Sequence, residues 1–440
     1  MLVSYVLLLI GLLINWGAYD PIALILLLAS FALVAVAFVW VWRGSPRDRR
    51  VPGAPPFAIA LIVLLLAAVA VPTAIYLKAP VYDLSYHVWL LILTCLVAVA
   101  YLIVRRDHRR LRRGIFIVAV LGAVAFRVWM PIASPAPVID VFSFSQESSQ
   151  HLLEGKNPYN TPVTDIYQNA VSFGYSIKAY IYLPADLYVQ AASYGLTRDV
   201  RYAYVLAELV VAFVLWRLSR RRWSESIAEL LTLLYLYNPR ALFVLEQAWV
   251  DSLIMMLFAL FLYLRERGKP TAASVAYGYM LFLKQYMLFA FFQWFIIERN
   301  WKRILTGLVV GFLTLLPFAI WDWRGLLDNG ILFNVVVPFR DDSLTLFSFL
   351  SRTWGVQPPA GWTILVGAVL TALTFIPQRH IQPLRGYLFA LTLTTFGMFL
   401  FGTTGFCNWY YLVAGQLIFL LAVGGRRAKK GEPSAIGAGI

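Results

Sequence analysis

Charge is scarce in this chain, and acidic charge most of all: 13% of its 440 residues are charged, with 22 Asp and Glu against 37 Lys and Arg. A soluble domain of this length could not cover its surface with so little polar material. Cysteine is nearly absent. Cys95, inside an apolar run, and Cys407, far from it in the expected topology, give no disulfide framework. The histidines His87, His108, His151 and His380 are scattered without ligand spacing, so no metal centre is legible. A basic start and a small-residue cleavage site are both missing from the N-terminal run, which therefore reads as a first span and not as a signal peptide. No convincing internal repeat is present.

What fills the chain is apolar: 61% of residues are hydrophobic and the mean hydropathy is +0.73. Apolar runs of roughly 17–25 residues, the length that crosses a hydrocarbon core of about 30 Å, recur along almost all of it. At that depth the backbone must bond to itself, so the spans are helices. The expected spans are 1–15, 22–42, 57–77, 87–104, 114–130, 200–218, 227–245, 250–264, 271–284, 286–298, 304–321, 361–376, 387–402 and 409–424. The fold class is thus all-α, a polytopic membrane protein with about fourteen transmembrane or partly spanning helices. Segments 271–284 and 286–298 are short for full spans and read as a broken pair meeting near Lys284 and Gln285.

The formal charge of +15 does not point to nucleic acid, because the basic residues sit in short connections and not on one face. Placing the connections at 43–50, 105–113, 217–222, 265–269, 299–303, 379–385 and 426–430 on one side gathers 26 of the 37 Lys and Arg there. By the positive-inside rule that side is cytoplasmic, and the lipid bilayer is the first partner. The other side carries two long connections, 131–199 and 322–360, where function is to be sought. The first of these holds a short helix over 143–155 and a Pro-initiated amphipathic one within Tyr180 to Tyr194, both suited to the membrane surface. The chain divides into an N-terminal block of four helices (1–113), a core with the two long outer connections (114–424) and a basic tail (425–440).

Asp140 follows the span 114–130 closely, in "PAPVIDVFSF", at the expected outer interface. It is either a first-turn acid favoured by the helix dipole or a functional carboxylate. Asp251 and Lys284 lie thirteen and fourteen residues from either side of the connection 265–269. That puts acid and base at nearly equal depth, roughly 20 Å from its end at about 1.5 Å per residue. Such intramembrane charges are functional candidates, or else a structural ion pair. Gln247, one turn before Asp251, and Gln285 make the patch more polar than a pair requires. In the second long connection Arg340 stands beside Asp341 and Asp342, suited to phosphate, sugar hydroxyls or a divalent cation, or simply a solvated charged loop. Arg240 is a further outer cation, with interface snorkelling as its plainer reading. Trp409, Tyr410 and Tyr411 read as interface aromatics or as sugar-stacking rings.

Asp140, the helix ending in "LLEGKNPY" (Leu152 to Tyr159) and "YIYLPADLY" (Tyr180 to Tyr188) together resemble the first lumenal loop of the GT-C glycosyltransferases. The resemblance is to the branch of polyprenyl-phosphate-mannose-dependent α-mannosyltransferases, and it covers roughly residues 114–424. Phe142 and the pair Ser148-Ser149 depart from the pattern, which usually has alanines in that helix. The resemblance implies an inverting transferase in a prokaryotic plasma membrane, active on the extracytoplasmic side in cell-envelope glycolipid synthesis. It would move a hexose, mannose by preference, from a polyprenyl-phosphate donor to a glycolipid or glycan acceptor. Asp140 is then the catalytic base, and Lys284, Arg340 and Arg240 bind the donor phosphate. Glu147, Tyr159, Tyr182, Gln247, Asp251, Gln285, Asp341 and Asp342 line the substrates. No cofactor is required, and no cluster supports a metal.

One carboxylate suffices chemically, because a lipid phosphate is a good leaving group and only the acceptor proton must be removed. A transporter or flippase of lipid-linked saccharides is the competing class, and it too would want broken helices and buried charges. A catalytically silent membrane assembly subunit is a third.

Overall fold

The computed structural model describes residues 1–43, 53–103, 108–166, 176–359, 361–375 and 381–425. Most of the expected basic tail, together with much of the basic connections at 43–50, 105–113 and 379–385, lies outside the described residues.

The described chain is built from helices, and strand-like pairing is limited to one isolated bridge, Ala18 to Ser343. The N-terminal block is α1 (Leu2–Leu13), α2 (Pro21–Trp42), α3 (Pro55–Val69) and α4 (Pro80–Ala98), the last extended by a π-helical turn. Then follow α5 (Arg109–Ala133), two helices in the first long connection, α6 (Asp140–Leu153) and α7 (Pro184–Thr197), and α8 (Arg201–Ser219). The middle of the chain gives α9 (Glu225–Leu236), α10 (Ala241–Glu246), α11 (Asp251–Glu266), α12 (Pro270–Leu281), α13 (Leu288–Ile297) and α14 (Trp301–Gly325). The last elements are α15 (Phe333–Val336), α16 (Leu346–Trp354), α17 (Trp362–Phe375), α18 (Pro383–Phe401) and α19 (Cys407–Val423). Among the described residues six helices or helical runs are long and apolar enough to cross a membrane, including α2, α5, α8 and α18. This is an all-α integral membrane protein, and each of the fourteen expected spans coincides with a helix or a broken helix.

Proline sets several of the starts. α2, α3, α4, α7, α12 and α18 all open with it, where the missing N–H has no intrahelical partner to lose. Proline also shortens two expected spans. The run expected over 57–77 is helical only to Val69, before Val71-Pro72, and the run over 227–245 breaks at Asn238-Pro239 into α9 and α10. The expected broken pair is present: α12 stops at Leu281, Lys284 is extended (φ −152°, ψ 141°), and a short 3₁₀ turn leads into α13. α12 also meets α14 at backbone contact. A Cβ on Gly278 would lie 2.0 Å from the Gly307 carbonyl oxygen, so only glycine permits this approach.

The two ends of the bundle are identified by the contacts between connections. At one end Arg112 pairs with Glu225, Arg221 and Arg222 with Glu266, and Arg265 with Glu298, which tie the basic connections together. At the other end Arg240 Nε and Nη2 donate to the carbonyls of Leu12 and Leu13 (3.0 and 2.8 Å) and Nη1 to Pro72 (3.2 Å). The N-terminal block is packed into the rest of the bundle: α1 lies against α19, α2 against α18 and α3 against α9, and Tyr5 donates to the Leu234 carbonyl at 2.8 Å.

Candidate active site

α6 begins at Asp140, three residues earlier than the sequence suggests, because an acid is favoured in the first turn and its Oδ1 accepts the Val141 N–H at 2.7 Å. At its far end Gly155 adopts φ +73°, the left-handed conformation that glycine supplies after a helix. The turn that follows is self-bonded: Asn157 Oδ1 accepts the Tyr159 N–H at 3.0 Å, and the buried Tyr159 hydroxyl donates to the Tyr182 carbonyl at 2.7 Å. This locks the "NPY" turn to the "YLP" element. Tyr182 in turn meets Phe144 of α6 edge-on at 5.3 Å. The helix that presents Asp140 is thus bound to both motifs that the sequence singled out.

The approach to Asp140 is braced from outside its own loop. Arg201, at the start of α8, donates to the carbonyls of Ser134 (2.7 Å) and Pro131 (3.2 Å) and is held by Asp199. Tyr76, in the α3–α4 connection, donates to the Val138 carbonyl at 2.8 Å. That connection is clasped by the buried Glu246 carboxylate, which accepts the N–H groups of Ile75 and Tyr76, each at 2.8 Å. Asp140 itself is half-buried. Burial pushes its carboxyl above the usual range, while the Val141 N–H and the Arg340 guanidinium act in the opposite direction.

Arg340 is aimed by its own neighbours. Its Nε donates to Asp342 Oδ1 at 2.9 Å, and the guanidinium lies 4.8 Å over the Phe406 ring. Asp342 and Ser343 are fixed to the N-terminal block, through the Tyr19 N–H to the Asp342 carbonyl (2.8 Å) and the bridge between Ala18 and Ser343. The Leu344 N–H is accepted by the Gly405 carbonyl at 2.8 Å. Asp341 faces outward and pairs at 3.6 Å with Arg352 of the amphipathic α16.

A second charge centre is built at the break between α12 and α13. Lys284 Nζ is buried, 3.5 Å from Asp251 Oδ2, and sits over the rings of Tyr286, Tyr182 and Trp409 at 5.1, 5.2 and 5.8 Å. Asp251 is held further by Asn408 Nδ2 at 2.7 Å and by a short hydrogen bond from the Tyr286 hydroxyl. Gln285 Nε2 donates to the Gly330 carbonyl at 2.5 Å and so ties the break between α12 and α13 to the chain after α14. Tyr182 is the shared wall: one contact leads to α6 and Asp140, the other to Lys284.

The remaining expected residues fall differently. Glu147 accepts the Thr164 N–H at 2.7 Å and the Ser143 hydroxyl at 3.2 Å, organising the loop after the turn. Gln247 donates to Glu246 at 3.0 Å, beside the clasp on the α3–α4 connection. Arg240 is buried with its nitrogens on three backbone carbonyls and its guanidinium carbon 4.2 Å from the Trp16 ring centre, so it closes the end of α1 with its donors committed to backbone. Tyr410 and Tyr411, expected at an interface or a sugar, instead turn inward. Tyr410 donates to the Leu344 carbonyl at 2.6 Å and Tyr411 to Glu208 at 3.1 Å, because the face of α19 they occupy is wholly buried.

Several contributors were missed from the sequence. Tyr286 and Asn408 hold Asp251, and their only sequence signal is a polar group at the start of an apolar run. Asp186, in the first turn of α7, is fully buried under Gln190 (2.7 Å) and Tyr180 (3.2 Å). Burial pushes its carboxyl up to about 8. Among the described residues no group of His, Cys, Asp and Glu could hold a metal ion.

The fold is that of a polytopic helical membrane protein in which Asp140 lies in the field of Arg340 and the buried Lys284–Asp251 pair shares Tyr182 with the helix that carries Asp140. No family model matches the chain, and no curated protein matches it. Among solved structures it is similar to the crystal structure of ArnT from Cupriavidus metallidurans bound to undecaprenyl phosphate, at 15% identity and a TM-score of 0.46. The match covers 70% of this chain and 59% of that one, so this chain spans less than two thirds of the neighbour's length. At that level of likeness no residue role passes from one to the other.

Proposed function

We propose that this chain is a GT-C-type glycosyltransferase that moves one hexose from a polyprenyl phosphate to a lipid-linked or glycan acceptor at the extracytoplasmic face of a prokaryotic plasma membrane. Mannose is the preferred sugar, on the strength of the loop motifs. The observation that carries the reading is the placement of Asp140: a half-buried carboxylate in the field of Arg340, on a helix that shares the Tyr182 wall with buried Lys284. Sidedness is supported by the ion-paired basic connections at the opposite end, where the positive-inside rule places the cytoplasm.

In this reaction Asp140 takes the proton of the acceptor hydroxyl as its oxygen attacks the anomeric carbon from the face opposite the phosphate. The bond from that carbon to the phosphate oxygen breaks, and its electron pair leaves with the polyprenyl phosphate. Arg340 and Lys284 stabilise the charge that accumulates there, in surroundings dry enough for each cation to count strongly. A single displacement inverts the anomeric centre, so a β-linked donor gives an α-linked product. In this reading Asp342, paired with Arg340, bonds a sugar hydroxyl, while Asp341, turned outward to Arg352, is left out of the site.

The test is to incubate purified protein with a defined polyprenyl-phosphate hexose and candidate acceptors, and to look by mass spectrometry for a product heavier by one hexose. Wild type makes it, and Asp140→Asn does not. Equal product from both would remove Asp140 as the base. Transfer of label across a vesicle membrane with no new glycosidic bond would establish the transporter reading instead.

A further inference from the structure

The basic end of the bundle contains a feature unrelated to that reaction. A cleft of about 360 Å³ opens between the start of α18, the ends of α11, α13 and α19 and the turn after α8. Three guanidinium groups line it, those of Arg222, Arg265 and Arg385, against one lining carboxylate, Glu266. Two of the three are committed. Arg265 donates to Glu298 at 2.8 Å and to the Ile297 carbonyl at 2.7 Å, and Arg222 is paired with Glu266 and reaches the Val423 carbonyl at 3.4 Å.

Arg385 is different. Its Nε is buried without a hydrogen-bond partner among the described residues, and its guanidinium lies 5.8 Å over the Phe389 ring, which accepts no directed bond from that nitrogen. A buried guanidinium N–H without an acceptor is costly. The cleft is roomy, its net lining charge is positive, and its wall is mixed: Ile297, Leu384 and Val423 line the side next to the arginines. A guanidinium whose Nε lacks an acceptor is matched by the oxygens of a phosphate, and apolar residues beside it suit the glycerol and acyl part of an amphiphile.

We infer that this cleft binds a phosphate group on Arg385, with Arg222 alongside, at the end of the molecule remote from Asp140. The phosphate belongs either to an anionic phospholipid headgroup or to a free phosphate in solution, and the chemistry at Arg385 is the same for both. The inference does not depend on the transferase reading.

Binding to the full-length detergent-purified protein is measured in two arms. In the first, native mass spectrometry follows titration with phosphatidylglycerol and, separately, phosphatidylcholine. In the second, calorimetry follows inorganic phosphate. Arg385→Gln should weaken binding at least tenfold in whichever arm shows it, whereas Arg299→Gln, an exposed arginine at the same end, should leave it unchanged. Arg385→Lys keeps the charge but not the fork and should lose severalfold, which retains the test if the glutamine variant does not fold. Preference for phosphatidylglycerol assigns the site to lipid, and binding of inorganic phosphate alone assigns it to a soluble anion. Phosphatidylglycerol held no better than phosphatidylcholine with no phosphate bound, or binding unaltered in both Arg385 variants, overturns the proposal.

Discussion

Breaking the Lys284–Asp251 pair should destabilise the protein through charge burial, and the structure sets the size of the effect. The two groups are 3.5 Å apart and almost fully buried. At an effective dielectric of about 20 their attraction is about 5 kcal/mol, consistent with the roughly 3–5 kcal/mol that leaving one buried partner uncompensated costs. Asp251→Asn leaves the ammonium with three aromatic rings, and Lys284→Met leaves the carboxylate with Asn408 and Tyr286 as donors. Each remnant recovers part of the loss, so the single variants should fall at the lower part of that range. With an unfolding entropy of about 2.1 cal/mol/K per residue, the 440 residues convert this into a fall in Tm of roughly 3–5 °C. Tryptophan fluorescence during heating in detergent reads it. The double variant Asp251→Asn/Lys284→Met should be less destabilised than the sum of the singles by at least about 2 kcal/mol, since neither charge is then stranded. Additivity within about 0.5 kcal/mol would show that the two groups do not act on each other and would refute the electrostatic reasoning.

Four further outcomes follow from other parts of the structure. Because burial holds the Asp140 carboxyl above the usual range, the ionised base is depleted as pH falls through that raised value, so the transfer rate should decline on the acid side at a higher pH than an exposed carboxylate would give. The same raised value means the neutral form is favoured by folding at low pH and that advantage is lost as pH rises, so at neutral pH Asp140→Asn should melt no lower than wild type while losing at least about 10²-fold in transfer. Arg127→Met, which removes a 2.5 Å pair between α5 and α8 and leaves Glu208 with only the neutral donors Tyr411 and Ser252, should cost about 3 kcal/mol in the same melting assay, and a loss below about 1 kcal/mol would contradict it. Tyr76→Phe removes the hydrogen bond to the Val138 carbonyl and should lower kcat more than it raises KM, with Tm nearly unchanged, because it loosens the approach to Asp140 and not the bundle.

The positions of the spans, the break near Lys284 and the approach of Asp251 to Lys284 were legible because each follows from local quantities: the length of apolar runs and a count of residues from a shared connection. The first-loop motifs were legible as short patterns. What surrounds them was not. Arg240 reads in sequence as a cation at an interface, yet its nitrogens close carbonyls of residues more than 160 positions away. Tyr410 and Tyr411 read as interface aromatics, yet α19 is buried on nearly all sides. Asp186 looks like an ordinary first-turn acid until α6, α7 and α8 close over it.

The sequence by itself determined that the chain is built of membrane-spanning helices and roughly where each one lies, since hydrophobic length acts one segment at a time. It could not determine rotation about each helix axis or which distant loops meet, because a span that is apolar on every face carries no periodic signal to orient it. Only the tertiary structure decided that the loops of the N-terminal block brace Asp140 through Tyr76 and Arg340 through Tyr19. It alone also decided that Tyr182 joins Asp140's helix to Lys284, and that the Arg385 Nε has no acceptor among the described residues at the opposite end.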